Sequence, residues 1–317
     1  MKITILDGHA LNPGDLSWDC IKEFGTVTYY DRTEGEALTV ERIGDSDIIL
    51  LNKVPITEQV LAECPNLKLI CVLATGYNVI DCQAAAARGI PVCNVPGYGT
   101  DAVAQFTFAL LLELCHQVGL HSNSVHAGDW SACPDFCYWK TPQMELAGKT
   151  MGIIGYGAIG QAVANIARAF GMNILAYSRT HRPEHTYVDL DTLLANSDIV
   201  SLHCPLFSEN TGMINSETIA KMKDGAILLN TARGALIDEA AVAQALKTGK
   251  LRGMAADVVC SEPIPATSPL LTAPNCILTP HMAWAPIESR QRILDATVES
   301  IRAFLNGKPQ NVVNMPE

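Results

Sequence analysis

The stretch TMGIIGYGAIGQAVANIARA, residues Thr150–Ala169, decides the predicted fold of much of the chain. It begins with the apolar run Met151–Ile154, which is long enough for a buried strand. Three glycines follow at the spacing G-x-G-x-x-G, namely Gly155, Gly157 and Gly160, and a helical pattern of apolar residues comes next. A strand, a glycine turn and a helix in this order predict a dinucleotide-binding unit.

Each glycine of this turn has its own physical reason. Gly155 allows the tight turn, Gly157 lets a pyrophosphate approach the backbone, and Gly160 lets the helix pack closely on the strand. The first helical residues, Ala158 and Ile159, offer unpaired N–H groups at the positive end of the helix dipole. These five positions are therefore predicted to bind the cofactor.

The composition is typical of a globular protein with a sizeable core. Of the 317 residues, 48% are hydrophobic and 17% are charged, and the length is sufficient for two domains. The net charge of −11 argues against nucleic acid and anionic membrane surfaces as partners, because both select basic proteins. The 11 cysteines include no C-x-x-C pair, and the spacing of Cys133 and Cys137 is poor for zinc. We therefore expect reduced thiols and no metal site.

The beginning of the chain does not have the pattern of a signal peptide. No basic segment precedes an apolar one, and Met1–Asp7 is typical of a strand. No apolar run reaches 18 residues, so the sequence predicts no membrane span. We expect a cytoplasmic protein.

Strands alternate with helices along most of the chain, which favours parallel βαβ units. The first series of predicted strands is Lys2–Leu6, Asp47–Leu51, Leu69–Leu73 and Pro91–Asn94. The second series is Met151–Ile154, Asn173–Tyr177, Ile199–Leu202, Ala226–Asn230, Gly253–Val258 and Cys276–Leu278. An amphipathic final helix, Ile287–Leu305, is expected to return to the first domain. The predicted domains are residues 1–98 with 286–317, which bind substrate, and residues 99–285, which bind the dinucleotide.

Residues 130–142 are rich in aromatic residues and cysteine and show no clear period. One hypothesis is an arm that covers a neighbouring surface, such as a second subunit. The other is a loop that packs on its own domain. The sequence favours neither.

Three polar residues of the second series follow three different predicted strands: Arg233, Glu262 and His281. Rossmann-type domains bind ligands outside the carboxyl ends of their strands. Alone, each residue is more often solvated or structural than catalytic. Together, at one edge of one sheet, they predict a functional site beside the nicotinamide end of a bound cofactor.

Several ordered motifs carry a resemblance to the D-isomer-specific 2-hydroxyacid dehydrogenase family. They are ATGYNVID (Ala74–Asp81), GIIGYGAIG (Gly152–Gly160), HCPLFSENTGMI (His203–Ile214), LLNTARGALID (Leu228–Asp238), DV and EP (Asp257–Val258 and Glu262–Pro263) and TPHMAW (Thr279–Trp284). Within the family the chain looks most similar to glycerate dehydrogenases, also called hydroxypyruvate reductases, through NKVPI (Asn52–Ile56), NVPGYGTDAVAQ (Asn94–Gln105) and Trp284. The resemblance implies an α/β fold of two doubly wound parallel-sheet domains. One is a Rossmann cofactor domain and the other a flavodoxin-like substrate domain, with an active-site cleft between them.

The resemblance also implies an oxidoreductase that transfers a hydride between NAD(P)H and a small 2-oxo acid. Hydroxypyruvate or glyoxylate would give D-glycerate or glycolate. Arg233 would hold the substrate, His281 would be the acid/base, and Glu262 would orient His281 and favour its charged form. The backbone N–H groups of Thr75 and Gly76 would complete the carboxylate site.

Further residues receive roles from the same resemblance. Those expected to bind the cofactor are Cys204, Pro205, Thr211, Thr231, Ala232, Asp257 and His281 itself. Lys53 is interpreted either as a substrate-binding residue that favours a hydroxylated substrate or as a solvated lysine. Trp284 would keep the substrate pocket small if it points inward.

The segment Tyr177–Thr180 departs from the pattern of the NAD-preferring members. Those members resemble other Rossmann enzymes in having an acidic residue at the end of the second strand, where it holds the ribose hydroxyls. Ser178, Arg179 and Thr180 stand there instead. Arg179 is either a surface residue on a turn or the partner of a 2′-phosphate. We expect NAD(P) as cofactor, with a lean toward NADP.

Two alternatives accompany this function. The family is similar to cofactor-sensing transcriptional corepressors, which are binding proteins with recognition tails that are not expected here. The chain could also be a 2-hydroxyacid dehydrogenase for another substrate. The resemblance suggests a homodimer in either case.

Overall fold

The computed structural model describes residues 1–183 and 185–315. Its strands, in chain order, are β1 (Lys2–Ile5), β2 (Thr26–Tyr29), β3 (Ile48–Leu51), β4 (Leu69–Val72), β5 (Val92–Cys93), β6 (Thr150–Ile154), β7 (Asn173–Tyr177), β8 (Ile199–Leu202), β9 (Ala226–Asn230), β10 (Leu251–Ala256) and β11 (Cys276–Leu278). Its α-helices are α1 (Asp19–Lys22), α2 (Glu36–Ile43), α3 (Glu58–Glu63), α4 (Cys82–Ala87), α5 (Thr100–His116), α6 (Val118–His126), α7 (Ala158–Ala169), α8 (Leu190–Asn196), α9 (Ser216–Lys221), α10 (Glu239–Thr248) and α11 (Ile287–Leu305). Short 3₁₀ turns lie at Ser208–Asn210, Gly234–Leu236 and Pro269–Thr272.

The chain divides into two compact units, Met1–Gly99 with Trp284–Glu317, and Thr100–Ala283. The first unit has one parallel sheet with the strand order β2-β1-β3-β4-β5. The second unit has a parallel sheet with the order β11-β10-β9-β8-β6-β7. The predicted α/β class with two doubly wound parallel sheets is confirmed.

In the first unit, successive residues of a strand face opposite layers of helices. Ile49 and Leu51 pack with α3 and α4, whereas Ile48 and Leu50 pack with Ile293 and other apolar residues of α11. A strand buried on both faces needs a continuous apolar run rather than alternation, and the run IILL of β3 has this form. The side chains of Thr57 and Asp81 accept hydrogen bonds from the first turns of α3 and α4, which fixes where these helices begin.

The edge strand of the first sheet, β2, is not predicted from the sequence. Its residues TVTY are mostly exposed and pair only with β1. No buried apolar run marks such a strand, because only one of its sides joins the sheet.

The second sheet is buried between two layers as well. Ile153 and Ile154, adjacent in β6, belong to separate apolar clusters on the two faces of the sheet. The order of strands reverses between β6 and β8, which is where doubly wound sheets bind their ligands. The predicted strand Gly253–Val258 is observed as Leu251–Ala256. The backbone N–H of the next residue, Asp257, still donates to the carbonyl oxygen of Asn230 at 3.0 Å, while its side chain holds the loop after β11.

Over the described residues no single helix has the length and apolar character to cross a membrane. The pair Thr100–His116 and Val118–His126, bent by 56°, meets these criteria by length and composition only.

Candidate functional site

The glycine turn after β6 has a conformation and a crowding that only glycine fits. Gly155 has φ +96° and its N–H donates to the carbonyl oxygen of Tyr177 at 2.8 Å. A Cβ atom at Gly155 would lie 2.5 Å from the backbone nitrogen of Cys204, and one at Gly160 would lie 2.2 Å from the Gly155 oxygen. The turn, the start of α7 and the end of β8 are therefore packed backbone against backbone.

Gly157 differs from the other two glycines because no atom of residues 1–183 and 185–315 lies within 4 Å of where its Cβ would be. It precedes α7 as the N-cap, and no side chain in that part of the chain caps the helix. Unpaired N–H groups at the start of a 12-residue helix, beside an open glycine, suit a phosphate group. These residues fit the pyrophosphate of a dinucleotide.

The end of β8 holds a histidine beneath the glycine turn. His203 Nε2 lies 2.7 Å from the Ser201 hydroxyl, and its Nδ1 is buried without a hydrogen-bond partner among residues 1–183 and 185–315. Burial lowers the pKa of His203 to about 3, so the ring is neutral at physiological pH. Cys204 is half-buried, and burial raises the pKa of its thiol.

Ser178, Arg179 and Thr180 follow β7 at the same edge of the sheet. The guanidinium carbon of Arg179 lies 3.9 Å from the centroid of the Phe207 ring, which sits in the loop after β8. In that loop, Thr211 donates its hydroxyl hydrogen to the carbonyl oxygen of Phe207 at 3.1 Å. Pro205 accepts a hydrogen bond from Asn210 at 2.8 Å. Thr211 and Pro205 thus help to shape the loop that contacts Arg179.

The turn after β9 is built on a buried side chain, Asn230. Its amide oxygen accepts the N–H of Ala232 at 3.1 Å, and its amide nitrogen donates to the carbonyl oxygen of Arg233 at 2.9 Å. The hydroxyl oxygen of Thr231 lies 3.0 Å from that of Thr107 on α5. The Arg233 side chain is exposed, and its Nη1 donates to the carbonyl oxygen of Ala232 at 2.7 Å.

Gly234 brings this turn against the loop after β10. A Cβ atom there would lie 1.9 Å from the carbonyl carbon of Val259, so only glycine allows the approach. In the adjoining loop, Glu262 accepts the Val259 N–H with Oε1 at 3.2 Å and contacts His281 Nδ1 with Oε2 at 2.6 Å. The structure thus brings Glu262 and His281 into direct contact and places the Arg233 turn beside their loop.

Glu262 holds the ring of His281 at Nδ1. With an ionised Glu262 on Nδ1, the proton of the neutral ring sits on Nδ1, and Nε2 on the opposite edge is the nitrogen suited to substrate. The backbone of His281 has φ +54°, a left-handed conformation that costs a non-glycine residue about 1–2 kcal/mol. Such strain is held by the surrounding structure and clusters at functional sites.

Asp257 supplies that surrounding structure. Its side chain is 1% exposed, and it accepts hydrogen bonds from the Thr279 hydroxyl at 2.6 Å and from the backbone N–H groups of Met282 at 2.9 Å and Ala283 at 2.7 Å. Asp257 therefore anchors the loop that carries His281. Its predicted contact with the cofactor stays a prediction.

In the first unit, the predicted substrate residues follow different strands. The exposed Lys53 follows β3, and its backbone N–H donates to Oδ2 of Asp7 at 2.6 Å. Thr75 follows β4 and donates its hydroxyl hydrogen to the carbonyl oxygen of Val95 at 2.8 Å. Its own carbonyl oxygen accepts a hydrogen bond from the side-chain amide of Asn94. Gly76 is next to it, half-buried. Trp284 packs edge-on against Tyr98, with ring centroids 6.4 Å apart.

Four residues of these sites were not singled out from the sequence. They are Asp7, Phe207, Asn230 and Gly234. Asn230 ends a buried apolar strand, and a polar residue at such a position is a usable signal. The contacts of Asp7, Phe207 and Gly234 join loops that are far apart in sequence, and no local pattern marks them.

Comparison with known proteins agrees with the glycine turn and the strand-end residues. Residues 108–283 match the family described as "D-isomer specific 2-hydroxyacid dehydrogenase, NAD binding domain". The chain is 52% identical to a hydroxypyruvate reductase of Blautia hydrogenotrophica, over 99% of this chain and 100% of that protein. It is 42% identical to a glycerate dehydrogenase of Methylorubrum extorquens, over 98% of each.

A solved structure is similar over nearly the whole chain. It is an acyclic imino acid reductase, Bsp5, in complex with NADPH and D-Arg, with a TM-score of 0.86 and 31% identity over 99% of this chain and 100% of that one. The fold of the two units and the relation to a nicotinamide-binding family therefore rest on both sequence and structure.

Proposed function

We propose that this chain, which belongs to the D-isomer-specific 2-hydroxyacid dehydrogenase family, reduces hydroxypyruvate and glyoxylate to D-glycerate and glycolate. Similar proteins that bear the names hydroxypyruvate reductase and glycerate dehydrogenase support this substrate class. The observation that carries the proposal is the 2.6 Å contact between His281 and Glu262 beside the Arg233 turn. A proton donor and an anion-binding fork are what reduction of a 2-oxo acid requires.

In the proposed reaction, His281 Nε2 gives its proton to the carbonyl oxygen of the substrate. Glu262 holds the ring through Nδ1 and stabilises the imidazolium that must be present before the transfer. Arg233 holds the substrate carboxylate, because its planar fork can make two parallel hydrogen bonds. When bound, the nicotinamide supplies the hydride. Thr75, Gly76, Lys53 and Trp284 remain predicted substrate contacts.

The pyrophosphate of the cofactor would be held by Gly155, Gly157 and the first N–H groups of α7, at Ala158, Ile159 and Gly160. Thr231, Ala232 and Asp257 would line the nicotinamide, and Cys204, Pro205 and Thr211 the adenosine. We propose NADPH as the preferred cofactor, because Arg179 offers a guanidinium where a carboxylate would repel the 2′-phosphate. Ser178 and Thr180 would add hydroxyl donors.

The test is a panel of 2-oxo acids, hydroxypyruvate, glyoxylate, pyruvate and phenylpyruvate, assayed with NADPH and with NADH. We expect the highest kcat/KM for hydroxypyruvate with NADPH. A maximum for pyruvate or phenylpyruvate would assign another substrate within the same enzyme class. Binding of cofactor without turnover of any 2-oxo acid would contradict the proposal and favour a cofactor-sensing binding protein.

We also propose a cytoplasmic homodimer, in which residues 130–142 contribute to the interface. Within this arm, Tyr138 and Lys140 bond to α6, at Ser124 and His121, whereas Phe136 and Trp139 remain 89% and 69% exposed. Large exposed aromatic side chains are typical of a surface that another chain covers. Light scattering should give about twice the chain mass of 34.1 kDa. The double change Phe136→Ser and Trp139→Ser should reduce the mass toward the monomer, while Leu271→Ser, at another exposed apolar residue, should not.

A further inference from the structure

The contact between Arg179 and Phe207 joins the loops after two strands that flank the glycine turn. β7 and β8 lie on either side of β6, and Gly155 touches both of their ends. The stack therefore stands at the edge of the sheet where the ribose end of a dinucleotide is expected. Its guanidinium-to-ring distance of 3.9 Å is well within the range of a cation–π contact.

The guanidinium carbon of Arg179 lies over the Phe207 ring, 3.9 Å from its centroid. Cation–π contact uses the flat face of the group, whereas its five N–H donors lie in the plane and point outward. Within the described part of the chain, no carboxylate pairs with Arg179. The stack can therefore fix the direction of the side chain without consuming the donors that would bind a phosphate.

The backbone of Phe207 is fixed by its loop, and its side chain is not part of the core. Its backbone N–H donates to Oδ1 of Asn210 at 2.7 Å, and its carbonyl oxygen accepts the hydroxyl of Thr211 at 3.1 Å. The side chain is nevertheless 38% exposed and belongs to neither apolar cluster of the second unit. A partly exposed ring in a hydrogen-bonded loop, in contact with Arg179, is therefore suited to orienting that side chain.

We propose that Phe207 is a positioning residue that sets the preference for NADPH, by holding the Arg179 guanidinium with its N–H edge toward the 2′-phosphate. This inference rests on the proposed function and on the proposed contact of Arg179. A long arginine side chain that is already oriented loses less freedom when it binds, so the phosphate is bound more tightly. NADH has no phosphate at this position and is unaffected.

The experiment measures kcat/KM for NADPH and NADH in the parent chain and in Arg179→Ala, Phe207→Leu, Phe207→Tyr and the double variant Arg179→Ala/Phe207→Leu. We expect Phe207→Leu to lose roughly three- to tenfold with NADPH, the range of a cation–π contact, and to change NADH use by less than about twofold. Phe207→Tyr should keep NADPH use close to that of the parent chain, because a tyrosine ring can also stack on the guanidinium. The double variant should be no worse than Arg179→Ala, since the ring acts only through the arginine.

Two further measurements separate the possible failures. Leu206→Ala, at the equally exposed neighbour of Phe207, is the matched control and should leave the ratio of the two cofactors unchanged. Calorimetric titration with adenosine 2′,5′-bisphosphate and with 5′-AMP reports the same preference without turnover. An equal loss with both cofactors in Phe207→Leu, or a further loss in the double variant, would overturn the role of Phe207. If Arg179→Ala does not weaken NADPH use, the cofactor preference proposed above fails first, and the role of Phe207 fails with it.

Discussion

The two sheets reverse their strand order in the same way, at β1 and β3 in the first unit and at β6 and β8 in the second. In the first unit a side chain takes the backbone donors at this point. Asp7 accepts the N–H of Asn52 with Oδ1 at 2.7 Å and the N–H of Lys53 with Oδ2 at 2.6 Å. In the second unit the corresponding turn has Gly155, Gly157 and an uncapped helix.

The difference shows what turns a topological reversal into a cofactor site. Parallel strands that diverge leave backbone N–H groups at the carboxyl edge in both units, and an anion can bind them. The first unit provides its own anion, the Asp7 carboxylate. The second unit has glycine at the position that corresponds to Asp7, and the N–H groups at the start of α7 remain for an external phosphate. Each unit also has a histidine near a carboxylate. Nδ1 of His9 lies 3.9 Å from Oδ1 of Asp31 in the first unit, whereas Nδ1 of His281 lies 2.6 Å from Oε2 of Glu262 in the second.

The largest expected effect tests whether proton transfer belongs only to the second unit. His281→Ala should lose on the order of 10²–10⁴-fold in kcat for hydroxypyruvate, because the general acid is removed. The Kd for NADPH, measured by fluorescence titration, should change little. His9→Ala is the matched control and should keep kcat within about twofold, as expected for a surface change. A comparable loss in the His9 variant would place the acid in the first unit.

The next effect breaks the glycine turn. Gly155→Ala adds a Cβ 2.5 Å from the Cys204 nitrogen at φ +96°, and should lower the free energy of unfolding by about 3 kcal/mol through overpacking and backbone strain. Gly157→Ala meets nothing within 4 Å and should change it by less than about 0.5 kcal/mol, while still weakening NADPH binding. Urea unfolding and cofactor titration measure the two quantities. Equal free energies of unfolding for the two variants, or normal NADPH binding by Gly157→Ala, would contradict the different roles given to the two glycines.

A smaller effect concerns the short contact of Glu262. In Glu262→Gln the charge that stabilises the imidazolium is lost, so kcat for reduction at neutral pH should fall about fivefold, the difference between a charged and a neutral hydrogen bond. Glu239→Gln removes a nearby carboxylate that bonds to Cys260 and Ser268, and should keep kcat within about twofold. An unchanged kcat in Glu262→Gln as well would remove Glu262 from the reaction.

The smallest expected effect is on the pH dependence of stability, which has opposite signs for His203 at one reversal point and Asp7 at the other. Burial lowers the folded pKa of His203 to about 3, below the unfolded value of 6.5, so the unfolded chain takes up a proton first and stability is lost as the pH falls through this window. Between pH 7 and 5.5 the loss is about 1 kcal/mol. Burial raises the pKa of Asp7 above 3.8, and the backbone N–H groups of Lys53 and Asn52 oppose this only in part. Its contribution to stability therefore falls as the pH rises through that window, which is the opposite sign.

Urea unfolding between pH 4 and 7 measures both slopes. His203→Asn should flatten the loss on acidification, and Asp7→Asn should make it steeper, because the group that gains stability in acid is gone. Parallel profiles for the parent and His203→Asn would show that His203 is protonated in the folded state.

The sequence predicted most strands of the second unit because each is a short buried run between turn residues. Asn173–Tyr177, Ile199–Leu202 and Ala226–Asn230 have the predicted bounds. The sequence failed where burial is partial, because the exposed β2 gave no apolar signal. It also placed the end of β10 two residues beyond the observed end at Ala256.

The site was predictable to the extent that it follows strand ends. Arg233, Glu262 and His281 were singled out because a polar residue after a buried strand of a parallel sheet lies at the ligand-binding edge. Gly234, which shapes the Arg233 turn, was missed because the residues it packs against, Val259 and Cys260, are in another loop. Asn230 bonds within its own turn, to Ala232 and Arg233, and its polar side chain at the end of an apolar strand is a signal that the sequence carries. Asp257 was expected beside the cofactor, whereas its observed hydrogen bonds anchor the loop of His281.

The sequence by itself determined the glycine spacing, the buried runs and the order of elements, because these depend on residues that are neighbours along the chain. The tertiary structure decided which strand ends lie side by side, and hence the contact of Glu262 with His281 and of Arg179 with Phe207. It also decided that the Asp7 carboxylate fills one reversal point, whereas at the other no atom of the described residues lies within 4 Å of the Cβ position of Gly157. The physical reason is that strand order follows from packing both faces of each sheet, and no local pattern of residues encodes which loops that packing brings together.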